Sequence, residues 1–160
     1  MNEFKRILVV VSMIQSCQKA IQSGVSLAQH YNAKLFVLHS LHNPFGLQGW
    51  SVGTLSLAEE YQRIVQETRQ QLSKLVEAER VKGVSITVLL KEGEPTEEIL
   101  KTITAERIDL LVMLAHEEGR LEHLLFGRLN DELVRRLPCS LLLVKKEPTA
   151  LVEENEESFP

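Results

Sequence analysis

The stretch 114–128, "LAHEEGRLEHLLFGR", is where this sequence comes nearest to a chemical device. It follows the apolar run "IDLLVM" and precedes a helical pattern, the place where a parallel α/β chain usually sets a glycine-rich loop for phosphate. Such a loop works because bare backbone N–H groups approach the phosphate oxygens while the following helix adds positive potential. Gly127, Arg128 and Leu129 open that helix here, and a guanidinium at Arg128 could clamp a phosphate through paired N–H donors. Glu117 and Glu118 work against this, opposed only partly by Arg120 and Arg128. At effective interior dielectric a carboxylate about 4 Å from a phosphate costs on the order of 4 kcal/mol before screening. A slipped pairing, Gly119 with Arg120, offers a second set of backbone donors. The plainer reading is favoured: Gly127 supports a tight turn, and Arg128 is solvated or pairs with Glu117 or Glu118.

Other reactive side chains form no working set. His39 and His42 stand three apart, and His116 and His123 flank the loop, so a shared metal is conceivable. Strand alternation, however, sends His39 and His42 to different sides, and no cysteine or aspartate completes a ligand set. No metal is expected. There is no G-x-S-x-G, no P-loop and no G-x-G-x-x-G, so the chain is read as a non-enzyme. Cys139 opens an apolar strand and reads as a buried, inert thiol, whereas Cys17 near a helix start has a route to mild activation. "EGEP" (92–95) marks a turn before a helix and nothing more.

The elements that must position these residues follow from periodicity. Continuous apolar runs at 6–12, 34–41, 84–93, 108–115 and 139–146 predict strands buried on both faces. Helical spacing predicts a helix over roughly 15–31 and another over 57–82, whose inward face carries Leu57, Tyr61, Ile64, Val65, Thr68, Leu72, Leu75 and Val76. Gly83 is placed to end the second, and Pro95 to start a third with Ile99, Leu100 and Ile103 inward. Leu129, Leu133, Val134 and Leu137 stripe a fourth, stopped by Pro138. Strands alternating with helices imply an α/β fold: one doubly wound domain with a five-stranded parallel sheet and helices on both faces. Its ligand crevice lies beyond the carboxyl ends of the strands, bounded by Ser12, by Ser40 and Leu41, and by the loop after the fourth strand. The turn-rich segment 42–56, with Phe45 and Trp50, is a candidate lid.

Bulk composition narrows the function classes. The chain has 160 residues, 44% hydrophobic and 25% charged, which suits one soluble domain. Of the net charge of −4, the tail 147–160 carries five acids and no base, leaving 1–146 nearly neutral. The domain is therefore assigned to 1–146 and the tail is expected to be disordered. No basic stripe argues for nucleic acid, no run is long enough for a membrane span, and no signal peptide is read. A cytoplasmic location is expected, with the two cysteines reduced.

Four blocks in order, "FKRILVVVS", "AKLFVLHSL", "GEPTEEILKTITAERIDLLVM" and "LLFGRLNDELVRRLPCSLLLVKK", make residues 4–146 resemble the universal stress protein (UspA-like) family. The resemblance implies strand order 3-2-1-4-5, a homodimer, a stress-related role and, in one branch, ATP bound without catalytic residues. That branch carries G-x-x-G-x9-G-[ST] after the fourth strand. Here Leu114 and Glu117 stand at the first two glycines, Gly127 matches the third, and Arg128 takes the hydroxyl position. Ser12 replaces the usual Asp, and Ser40 replaces a small apolar residue beside the adenine. His116 sits where the family commonly has a histidine, a loop-shaping role. Ser12, Ser40, Leu41, Met113, His116, Gly127, Arg128 and Leu129 are accordingly the candidate ligand-binding residues. The expected function is a dimeric, non-catalytic binding or regulatory module of stress-related type, with weak or absent ATP binding; the alternative is an ATP binder in which Arg128 replaces the hydroxyl. The edge strand Ser140–Val144 is the expected dimer contact, since a bare apolar edge would otherwise face water. A further protein partner is compatible with this reading.

Overall fold

The structure, a computed structural model, describes residues 3–12, 14, 17–41, 54–115 and 131–145. The loop 116–130, the segment 42–53 and the tail 147–160 lie outside the described residues, and with them His42, His116, His123, Gly127, Arg128, Leu129 and the candidate lid. The elements are β1 (Arg6–Val11), α1 (Gln18–Tyr31), β2 (Lys34–Leu41), α2 (Thr54–Arg80), β3 (Ile86–Glu92), α3 (Pro95–Ala105), β4 (Leu110–Ala115) and β5 (Ser140–Lys145). Residues 131–136 are also helical. The sheet is parallel throughout with order β3-β2-β1-β4-β5, the order the resemblance implied.

Strand alternation divides the core in two. Ile7, Val9 and Val11 face one side with Leu35, Val37, Ile86, Leu110 and Val112, covered by Ala20, Ile21, Val25 and Ala28 of α1 and by Leu72 and Val76 of α2. Leu8 and Val10 face the other side with Phe36, Leu38, Leu111 and Met113, under Ile99 and Ile103 of α3 and Leu133. Two-sided burial explains why these strands read as unbroken apolar runs. Helix α1 approaches the sheet closely at Gly24, where an added Cβ would stand 2.4 Å from Val9 Cγ2 and 3.2 Å from Leu35 Cδ1.

The chain ends its helices where backbone chemistry dictates. Asn32 takes a left-handed φ of 54° after α1, and its N–H donates to the carbonyls of Ala28 and Gln29. Gly83, at φ 79°, turns the chain from α2 toward β3. Glu94 caps α3: its carboxylate accepts the Glu97 N–H at 2.9 Å, and Pro95 fills the first turn, where its missing N–H costs nothing.

At the end of the sheet away from the carboxyl termini of the strands, Asp109 ties β1 to the approach of β4. Its carboxylate accepts the N–H groups of Lys5 at 2.8 Å and Arg6 at 3.1 Å, while its own N–H donates to the Arg6 carbonyl at 3.0 Å. The Arg6 guanidinium donates to the Glu106 carboxylate at 3.1 Å and to its carbonyl, and lies 5.0 Å over the Phe36 ring.

Three burial expectations are corrected. Leu57 and Ile64 on α2 are exposed, as is Val134. The dry face of α2 is instead Tyr61, Val65, Thr68, Leu72, Val76 and Glu79, a narrower stripe of one residue per turn. A helix lying over one flank of a sheet buries such a stripe, and apolar type alone cannot say which side chains fall at its margin. Helix α1 also begins at Gln18, about three residues later than its periodicity suggested. Replacing Gly24 with alanine is expected to destabilise the fold by about 1–3 kcal/mol through overpacking against Val9, read as a lowered urea midpoint at unchanged slope.

Candidate functional site

The crevice lies at the carboxyl ends of β1 and β2 against α3, beside the point where the strand order reverses. The β1–β4 ladder pairs only Ile7, Leu8 and Val9 with Leu110, Leu111 and Val112, whereas β1 stays paired with β2 as far as Val11 opposite His39. The carboxyl end of β1 therefore leans on β2 alone, and a gap forms on the α3 side of the sheet. It is a cavity of about 100 Å³ lined by Val10, Val11, Ser12, Leu38, Ser40, Pro95 and Ile99. Ligand pockets for whole drug-sized molecules run to about 300–1,000 Å³, so the described walls enclose one ring-sized group. A far broader depression, about 940 Å³, lies at the opposite end of the strands among Glu3, Lys5, Arg6, His30, Tyr31, Asn32 and Lys34. It is shallow and open, and Arg6 there is engaged with Glu106, so size does not make it the site.

Ser12 and Ser40 are the cavity's polar side chains, as the sequence proposed. Ser40 Oγ donates to the carbonyl of Gly93 at 3.1 Å, and Gly93 N–H donates to the carbonyl of Leu41 at 3.1 Å. The first residue past β3 is thus stitched to the end of β2. Gly93 sits at φ 149°, outside the usual range of side-chain-bearing residues, and an added Cβ would fall 2.9 Å from Glu98 Oε1. "EGEP" is accordingly more than a turn: Gly93 holds Ser40, Glu94 caps α3 and Pro95 forms a wall. Sequence reasoning missed these residues because their role depends on β3 lying beside β2. The glycine followed two residues on by proline was the available signal.

Two other candidates are not among the residues lining this cavity. Met113 is buried in the same cluster as the lining residues Val10, Leu38 and Ile99, and the Leu41 carbonyl accepts the Gly93 N–H. His39 is buried on the opposite face, its Nδ1 2.6 Å from the Val11 carbonyl, which assigns that nitrogen the proton. A structural histidine was expected, and its ring fastens β1 to β2 just behind the cavity.

The first turn of α3 is acidic. Glu94, Glu97 and Glu98 occupy the start of α3, beside Pro95. The Arg136 guanidinium donates to Glu97 at 2.7 Å and to Glu132 at 3.0 Å, and this hydrogen bond holds the Glu97 carboxyl below its ordinary range. Lys101 lies 3.2 Å from Glu98. On the other face Tyr61 of α2 meets Glu92 at the end of β3; burial first, then the hydrogen bond to Glu92, push its phenol above the usual value. Among the described residues no group of three or more His, Cys, Asp or Glu could hold a metal ion.

The activation suggested for Cys17 is corrected. The residue precedes α1 but is buried, and its thiol donates to the Ile14 carbonyl at 3.1 Å. Burial raises its pKa, with a backbone hydrogen bond offsetting part of the shift. Cys139, read from the sequence as buried, is only partly buried; that burial still raises its pKa. Both cysteines are free.

With this geometry in place, comparison with known proteins is specific. Residues 3–145 match the sequence profile of the Universal stress protein family, and the chain belongs to that family. A universal stress protein of Methanocaldococcus jannaschii is 25% identical over 147 residues, covering 91% of this chain and 84% of its own. Among solved structures, a universal stress protein from Archaeoglobus fulgidus in complex with dAMP superposes with a TM-score of 0.64 at 15% identity, covering 90% of this chain and 100% of its own. A universal stress protein family protein from Arabidopsis thaliana with AMP bound gives 0.59 at 18% identity, covering 90% and 93%. At these identities the structural likeness speaks for the fold.

Because only the thiolate reacts, Cys17, whose thiol is buried, should not be modified by an aromatic disulfide reagent at pH 7 in the native protein, whereas part-buried Cys139 should label. Both should titrate promptly in denaturant, and native labelling of Cys17 would contradict its burial.

Proposed function

We propose that this chain is a dimeric, non-catalytic, stress-related binding module whose crevice receives the base of an adenine-type ligand, and in which ATP is held weakly or not at all. The observation that carries this reading is the cavity at Ser12 and Ser40: its volume of about 100 Å³ and mostly apolar lining suit a flat ring. Relatives of the same fold with dAMP and AMP bound support the ring assignment. Acidic groups near the crevice, in structure and in sequence, support weak ATP binding. Glu94, Glu97 and Glu98 stand at the start of α3, and Glu117 and Glu118 stand in the loop sequence that carries only one glycine of the phosphate-binding pattern. The competing reading, an ATP binder that uses Arg128 as a clamp, draws on the same nucleotide-bound relatives.

Dimerisation is proposed through β5. Leu142 and Leu143 on this edge strand are 37% and 46% exposed, and the strand pairs on one side only, with β4. Open apolar edges recruit further strands, and a two-fold copy satisfies both edges at once. No helix among the described residues is long and apolar enough to cross a membrane, and we propose a cytoplasmic location.

A thermal shift tests the ligand reading. A ligand at 100 times its dissociation constant adds about 2.7 kcal/mol, or roughly 5–10 °C for a domain of this size. Millimolar ATP–Mg²⁺ is expected to leave the midpoint unmoved; a shift that vanishes in Arg128→Ala would instead establish the clamp. For the assembly, light scattering should give twice the chain mass, and Leu143→Asp is expected to give a folded monomer. A monomeric parent protein would refute the edge contact.

A further inference from the structure

We propose that the acidic tail 147–160 of one protomer docks on the basic depression at the amino end of its partner's sheet. The proposal deepens the dimer reading above and rests on it.

The depression supplies the cations. Lys5 precedes β1 and Lys34 opens β2, and the Lys34 N–H donates to the Lys5 carbonyl at 2.9 Å. The two lysines therefore leave adjacent backbones, and both are exposed. Glu3 is the carboxylate of the lining. Two further acids at this end are already engaged. Asp109 accepts the N–H groups of Lys5 and Arg6, and Glu106 accepts from the Arg6 guanidinium. Lys5 and Lys34 thus stand side by side over a broad, open floor, a shape that suits an extended segment better than a compact ligand.

The tail supplies the complement. It carries Glu147, Glu153, Glu154, Glu156 and Glu157 and no base. A segment of that composition gains order from what it pairs with rather than from a core of its own.

Antiparallel pairing decides which depression the tail reaches. β5 ends at Lys145, at the carboxyl end of its own sheet. A two-fold copy joined through β5 runs the other way, so each tail leaves beside the amino end of the partner's β5. From there β1 and β2 of the partner lie two and three strands across, roughly 10–15 Å. Glu153 to Glu157 follow Lys145 by eight to twelve residues, a reach of up to about 26–40 Å when extended. The tail's own depression is a strand length further off, about 20 Å, beyond an edge that the partner covers.

Zero-length carbodiimide coupling of the full chain tests this. Isotopically heavy and light chains are mixed in denaturant, refolded and coupled, and the amides are located by mass spectrometry. Amides from Glu153–Glu157 to Lys5 or Lys34 are expected, with about half joining a heavy to a light chain. Their yield should fall several-fold when salt rises from about 0.05 to about 0.5 M. In Lys5→Gln/Lys34→Gln a glutamate-specific protease should cut the tail at least threefold faster, with an unchanged far-UV spectrum showing that the variant folds. Amides confined to single chains would place the tail on its own protomer and overturn the proposal. A dimer whose tail couples to neither lysine, or whose tail is cut at the same rate in the variant, would also overturn it. Each of these results leaves the dimer reading standing. A chain that native mass spectrometry finds monomeric would overturn both.

Discussion

The structure depends on a strand that must be dry on every side. Ile7 to Val11 of β1 are at most 7% exposed, so both side-chain faces need covering and the interior backbone groups need neighbouring strands. Unpaired N–H and C=O groups in such a place would each cost about 1–3 kcal/mol. β2 and β4 supply the pairing; α1 and α2 cover one face, and α3 with the helical residues 131–136 cover the other. Parallel strands then require a crossover between each pair, which accounts for the alternation of element types along the chain.

The same demand creates the crevice. β1 is paired with β4 for only three residues, so its last two residues lean on β2 and leave room over Leu38 and Ser40. Polar bonds hold that room open: His39 fastens the end of β1 to β2 from one face, and Ser40 fastens the segment after β3 from the other. The opposite end of the β1–β4 pair is locked by Asp109 and Arg6. A tightened base beneath a parted top makes the crevice a consequence of strand pairing rather than of a specialised loop.

Charge gives the site its character. In this chain the helix start beside the crevice carries its own carboxylate cap, and the arginine and lysine nearest to that turn are engaged with acids. An anion meets that turn in competition with its own carboxylates, of which Glu94 and Glu97 are exposed and therefore screened by salt. A fold shared with nucleotide-bound relatives does not by itself fix what a given member holds.

Sequence by itself determined the elements, their alternation, the parallel sheet and the two serines at its carboxyl edge, because two-sided burial writes unbroken apolar runs and helical stripes repeat by turn. The resemblance supplied the strand order. What the tertiary structure decided was every relation between distant segments. Leu57, Ile64 and Val134 look like core but lie at stripe margins that only helix orientation sets. Cys17 sits at a helix start yet is buried by neighbours. Met113, proposed for the site, is buried on the same side of the sheet as Val10, Leu38 and Ile99, which only the strand order brings together. Gly93, Glu94 and Pro95 read as a plain turn until β3 settles beside β2 and brings a carbonyl to Ser40. A pattern along one chain records which faces are apolar; the partner across a 53-residue gap is fixed only when the sheet closes.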